Sequence, residues 1–204
     1  MSIMKLLQQA QGGQGISQLA QQFGLDPSTA EKLTQMLAPA IGSAAKQRAQ
    51  EGEATKVLES FRGESQANLF DNPAEAASAG GQAQGMDFLQ KILGGQEEAQ
   101  GLAQEAAGRA GVDSSTVSQF LPALAAMVQG GMQKNMPDTA IDGMESSLSG
   151  GSESGGGLMG MVGGLLGGNK GGDSGGGLGP LMQMLDADGD GSPLDDILGR
   201  FMKR

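Results

Sequence analysis

Apolar residues recur three and four positions apart along most of this chain, and no stretch alternates them with polar residues over the length of a strand. A helix buries a stripe at the three-four spacing, whereas a half-buried strand needs alternation, usually with β-branched or aromatic residues. The expected fold class is therefore all-α. Ile3, Leu6, Leu7 and Ala10 form one such stripe, which Gly12-Gly13 ends. Ile16, Leu19, Ala20 and Phe23 form a second, followed by Gly24 as the stop. Asp26-Pro27 then reads as an N-cap with proline in the first helical position. The helix it opens carries Ala30, Leu33, Leu37 and Ile41, with a kink or break expected at Pro39. A short helix over 53–62 turns Val57, Leu58 and Phe61 inward.

The same punctuation returns further on. Gly24-Leu25-Asp26-Pro27-Ser28-Thr29 lines up with Gly111-Val112-Asp113-Ser114-Ser115-Thr116, and Leu37-Ala38-Pro39-Ala40 with Leu121-Pro122-Ala123. We read residues 1–148 as one helical domain of two related halves, about 8–49 and 90–135, with Gly80-Gly81 between them. Helices are expected over 86–93, 97–110, 114–135 and 138–148. The chain has six Phe and no Trp or Tyr, so Leu, Ile, Val, Ala and the 13 Met must fill the core.

Residues 149–180 hold nearly half of the 37 glycines and read as a Gly/Ser-rich linker. An apolar island, 158–167, interrupts it. In it and just past its end, Gly160, Gly164 and Gly168 keep the four-residue spacing of closely packed helix pairs. Such an island is about 15 Å long as a helix, too short to cross a bilayer, and no other window is long and apolar enough. The N-terminal residues lack the apolar run of a secretory signal, which by default places the chain in the cytoplasm. A net charge of −10 argues against nucleic acid and anionic membranes as partners. The expected partner is a protein, either a second copy of this chain or a different one.

Residues 181–204 carry the one segment whose spacing implies a specific chemistry. Asp186, Asp188 and Asp190 alternate, Gly191 follows, and Asp195 and Asp196 come shortly after. This is the oxygen-rich spacing of an EF-hand-like loop for Ca²⁺, with the three aspartates at positions 1, 3 and 5 and the turn glycine at 6. The backbone carbonyl of Ser192 fills position 7. Two departures narrow the reading. Ile197 stands where a bidentate Glu closes the usual loop, and Pro193 lacks the N–H that pairs with a partner loop. Asp196, or else Asp195, must close the shell early, as in shortened calcium loops. Ser192-Pro193-Leu194-Asp195 also reads as a helix start, with an N-cap, an N1 proline and an acidic first turn. That reading leaves the Asp186/Asp188/Asp190 alternation unexplained. Five carboxylates within 11 residues repel one another unless solvated or neutralised by a cation.

Other chemistry finds little purchase. The chain has neither Cys nor His, which removes disulfides, thiol nucleophiles, the commonest general base and the usual transition-metal sites. Ser43-Ala44-Ala45-Lys46 matches a serine-acylase pattern without its companion motifs. Glu97-Glu98 is adjacent in sequence at a helix start and makes no acid–base pair.

Three stretches taken in order carry a family resemblance. They are Gly12-Gly13-Gln14 through Ile16-Ser17-Gln18-Leu19-Ala20-Gln21-Gln22-Phe23-Gly24-Leu25, then Ile92-Leu93-Gly94-Gly95, then the tail Leu185 to Gly199. Together they resemble the YidB-like family of bacterial proteins of unknown function, over about 1–135 and 181–200. The resemblance implies an all-helical fold and a bacterial, cytoplasmic origin. It supplies no catalytic residues. The expectation is a non-enzymatic interaction or structural protein with a C-terminal calcium loop. The alternative is a self-assembling homo-oligomeric scaffold in which the acidic loop only caps a helix.

Overall fold

The computed structural model describes residues 3–149, and these are all-α, with no strand among them. The linker from residue 150 on, the 158–167 island and the 181–204 segment lie outside the described residues. The helices are α1 (Ile3–Gln9), α2 (Gly15–Gln22), α3 (Pro27–Arg48), α4 (Ala54–Ser60), α5 (Ala67–Asp71), α6 (Pro73–Ala76), α7 (Ala79–Leu93), α8 (Gln96–Ala110), α9 (Ser114–Asn135) and α10 (Asp138–Ser149).

The two long helices, α3 and α9, begin in the same way. Gly24 and Gly111 end α2 and α8 in the left-handed region, at φ +65° and +69°. The next N–H reaches back five residues, Leu25 to Ala20 O and Val112 to Ala107 O, each at 3.0 Å. This αL-glycine stop satisfies carbonyls that the helix leaves open. One residue later an aspartate caps the long helix: Asp26 accepts from the N–H of Thr29, and Asp113 from that of Ser115. Each long helix has 22 residues and runs through an internal proline, Pro39 or Pro122. Of the kink or break that the sequence predicts at Pro39, the break does not occur: α3 continues through it as one helix. Proline frees the carbonyl four residues back. Here those carbonyls belong to Gln35 and Ser118, both exposed residues where water can serve.

α9 is the centre of the fold. Every residue from Phe120 to Gln133 is buried, so this helix is covered on all sides rather than along one stripe. α7, α5, α8 and α1 pack around it. Phe23, at the end of α2, meets Phe120 edge-on with ring centroids 6.0 Å apart. Phe61 and Phe88 form a second ring pair at 5.7 Å. Phe61, Phe88 and Phe120 are fully buried, which contributes about 1.5–3 kcal/mol for each ring.

Close approach to α9 explains glycines that sequence patterning misreads. Gly80-Gly81 reads as a break between two halves, yet both lie in the first turn of α7. Ser78 caps that turn by accepting from the N–H of Gly81 at 3.1 Å. A Cβ on Gly81 would lie 2.3 Å from the carbonyl oxygen of Glu75, so only glycine lets α7 fold back so tightly on α6. Gly85 faces α9 directly, where a Cβ would lie 1.8 Å from the carbonyl oxygen of Pro122. Gly130 and Gly131 do the same from the α9 side, against Gln66 O and the Phe70 ring. The segment 63–77, for which spacing gives no assignment, folds as a short 3₁₀ turn (Glu64–Gln66) followed by α5 and α6.

Two glycine substitutions separate packing from conformational entropy. Gly85→Ala should destabilise by about 3 kcal/mol, the upper end of overpacking costs. Gly101→Ala, mid-helix on α8 with open space around it, should stabilise by about 0.5–1 kcal/mol. Urea midpoints read both. Equal effects would show that the α7–α9 contact is not backbone-tight.

Candidate functional site

Asp186, Asp188, Asp190, Ser192, Asp195 and Asp196, the residues that sequence spacing assigns to Ca²⁺, all lie outside the described residues. Among the described residues no group of three or more acidic side chains is placed to hold a metal ion. The domain therefore has to be read by where its polar groups converge and where its surface is indented.

Polar groups converge where the end of α4, the end of α9 and α10 meet. Gln129 and Gln133 stand one turn apart on α9, 4 % and 3 % exposed. The Gln129 amide donates to Ser60 O at 2.7 Å, and the Gln133 amide to Asp138 Oδ1 at 2.8 Å. The Gly63 N–H donates to the same Asp138 oxygen at 3.2 Å. Beside it, Arg62 Nη2 donates to Asp142 Oδ1 and Glu145 Oε2, both at 2.6 Å. These bonds push the Arg62 guanidinium pKa further up, that to Asp142 foremost. Ile141, fully buried, anchors α10 between the two acids and Asp138. Gln66, Gln129, Gln133 and Glu145 each present a buried side-chain oxygen without a protein donor. Acceptors thus outnumber donors along this seam, a composition that suits bound water. The chemistry available is positional: the seam fixes the Ser60–Gln66 turn and α10 against α9. Gln129 and Gln133 give only a faint signal in sequence, as amides interrupting an apolar run.

Three carboxylates have lowered pKa values: the capping Asp26 and Asp113, and Glu53, which the Lys56 ammonium and the Arg48 guanidinium hold in its charged form. Asp26 accepts from the Ser28 hydroxyl at 2.6 Å and from the Thr29 N–H at 3.0 Å. The hydroxyl bond to Ser28 is the main reason that its pKa falls far below the ordinary carboxylate value. Asp113 accepts from the hydroxyl and the N–H of Ser115, at 2.5 and 2.8 Å, and the hydroxyl is again the main cause of its lowered pKa. Both are helix caps on exposed residues, which accounts for the shifts without any catalytic role.

Two surface indentations stand out among the described residues. One, of about 680 Å³, is open and polar, lined by Gln11, Asp71 and Lys134 over Phe70. Lys134 pairs with Asp71 at 2.6 Å and sits 5.6 Å from the Phe70 ring centroid. Gln11 adopts φ +51°, rare for a residue with a side chain, and its amide donates to Asp71 O. The other, about 400 Å³, lies between α1, α2 and the start of α3. Met4, Leu7, Ile16 and Pro27 line it, with Glu31 exposed on its rim.

Comparison with known proteins gives one match. A family model described as "Bacterial protein of unknown function (DUF937)", a YidB-like family, matches residues 5–135. That span runs from α1 to the end of α9. No curated protein and no solved structure matches the chain. No described helix is long and apolar enough to cross a membrane.

The two caps predict a definite acid response. Their folded pKa values lie below the ordinary 3.8. Their contribution is thus complete above that value and is lost as pH falls through it toward the folded pKa. Urea midpoints should drop below about pH 4. Asn caps as well as Asp but does not titrate in this range. The Asp26→Asn/Asp113→Asn variant should therefore show a shallower drop; an unchanged slope would place the acid sensitivity elsewhere.

Proposed function

The chain belongs to the DUF937 family of bacterial proteins of unknown function, and on that footing we propose that it is a non-enzymatic interaction or structural protein whose C-terminal acidic loop binds Ca²⁺. The observation that carries this reading is the run Asp186-Ala187-Asp188-Gly189-Asp190-Gly191. It alternates carboxylates at the ligand spacing of a calcium loop and ends on the glycine that lets the chain turn around the ion. Ser192 supplies a backbone carbonyl, and Asp196 or Asp195 closes the shell. With a single loop and no terminal Glu, the dissociation constant is about 10⁻⁴ to 10⁻³ M. The helical domain supports the non-enzymatic half of the proposal. Its shifted carboxylates serve helix caps or the Arg48–Glu53–Lys56 cluster, and its polar seam positions helices. The Gly160/Gly164/Gly168 spacing favours a second reading, self-association through the 158–167 island.

Titrating Ca²⁺ into isotope-labelled full-length protein tests the first reading. The Gly189 and Gly191 amides should shift with a midpoint in the millimolar range or just below, and Asp188→Ala should abolish the shift. Resonances that stay fixed at millimolar Ca²⁺, or move equally in the variant, would remove the site. Sedimentation of the same samples tests the second reading, since a monomer at every concentration excludes the scaffold.

A further inference from the structure

We propose that the groove between α1, α2 and α3 is the docking site for the chain's own segment 194–204, and that Ca²⁺ in the acidic loop strengthens the docking; this second half rests on the calcium reading above. The groove is the more apolar of the two indentations. Leu7 forms its buried floor, while Met4 and Ile16 are only half-buried and Pro27 is exposed. Methionine adapts readily to an incoming side chain. The α5–α9 indentation is a poorer dock, because its mouth already holds the Lys134–Asp71 pair.

Three observations select the occupant. First, Leu194, Ile197, Leu198 and Phe201 follow the i, i+3, i+4, i+7 spacing by which a helix presents anchors to an apolar groove. Second, residues 197–204 carry Arg200, Lys203 and Arg204 and no acid, in a chain of net charge −10. Glu31 on the groove rim offers a complementary charge to Arg200. Third, the segment can reach. A Gly/Ser-rich stretch the length of 149–180 spans about 30 Å as a coil, comparable with the diameter of a domain this size. Tethering at that length corresponds to an effective concentration in the millimolar range, so a weak contact suffices.

The coupling to Ca²⁺ follows from charge. Asp195 and Asp196 stand at the start of the same apolar stripe and offset its basic end. A cation held by Asp196 or Asp195 offsets that acidic charge and makes the segment more basic, which favours docking on an acidic domain.

The chain contains no Trp and no Tyr, so full-length Phe201→Trp gives a single indole at the proposed contact. Ca²⁺ should move its emission to the blue and reduce iodide quenching several-fold, independently of protein concentration. Adding Ile16→Ser or Glu31→Lys should reverse the shift. Glu31 is exposed, so that variant keeps the fold, which circular dichroism checks. A shift that survives both variants overturns the groove, and one that grows with protein concentration overturns docking within one chain. Gly189 and Gly191 amides that respond to Ca²⁺ beside an indole that stays exposed would overturn the dock and leave the calcium site standing. An indole buried without Ca²⁺ and released by both variants, with no amide response, would uphold the dock and remove the calcium reading.

Discussion

The contact between Gly85 and the backbone of Pro122 sets the spacing on which the rest of the domain depends. A methyl group at Gly85 would fall 1.8 Å from the Pro122 carbonyl oxygen. α7 and α9 therefore meet backbone to backbone, closer than helices separated by side chains. This has a consequence for a core with few aromatics. Close approach lets Ala123, Ala125 and Ala126 become fully buried surface instead of leaving voids beside small side chains. Gly130 and Gly131 extend the same solution to α5 and α1. A core poor in large residues is filled here by bringing backbones together.

That solution requires α9 to be placed accurately, and its two ends show how this is done. At the start, Gly111 turns the chain, the Val112 N–H closes the α8 carbonyls, and Asp113 caps the new helix. At the far end, where the helix is still buried, position is set by hydrogen bonds. Gln129 ties to Ser60 O and Gln133 to Asp138. Apolar contacts tolerate small slides along a helix axis, whereas a buried amide with one available partner does not. The α3 end is secured differently. Gly94 ends α7 at φ +109°, and a Cβ there would lie 2.5 Å from Arg48 Nη2, so Arg48 at the last turn of α3 closes over the α7–α8 turn while also pairing with Glu53.

Much of this was legible from residue spacing, and the exceptions share a cause. The bounds of α9 follow from Asp113 and the apolar run behind it, and those of α3 start correctly at Asp26-Pro27. Both are local signals, a cap followed by a periodic stripe. Gly80-Gly81 misleads because a glycine pair has two opposite meanings, a chain break or a surface that another backbone touches. Only the tertiary contact tells them apart. α5 and α6 have five and four residues, too few for a period to show. Arg62 is unremarkable in sequence, since its partners Asp142 and Glu145 lie some eighty positions away. The acidic loop has the clearest local pattern of all, and it lies beyond residue 149, the last one described.

The placement of α10 connects the domain to that distal segment. The family match ends at residue 135, with α9, and α10 is the described element that follows it. Its apolar anchor is mainly Ile141, with Met144 and Leu148 half-buried beside it. Otherwise its attachment is ionic and amide chemistry: Arg62 to Asp142 and Glu145, and Asp138 to Gly63 and Gln133. Asp142 is 60 % exposed, so that pair is screened by solvent and contributes little to stability. Its effect is directional. Two acids one turn apart on α10, gripped by one guanidinium, leave the helix a single rotation about its axis. That fixes the point on the bundle from which the chain continues past Ser149. The seam thus acts on geometry more than on stability: it sets the direction in which α10 runs along the bundle.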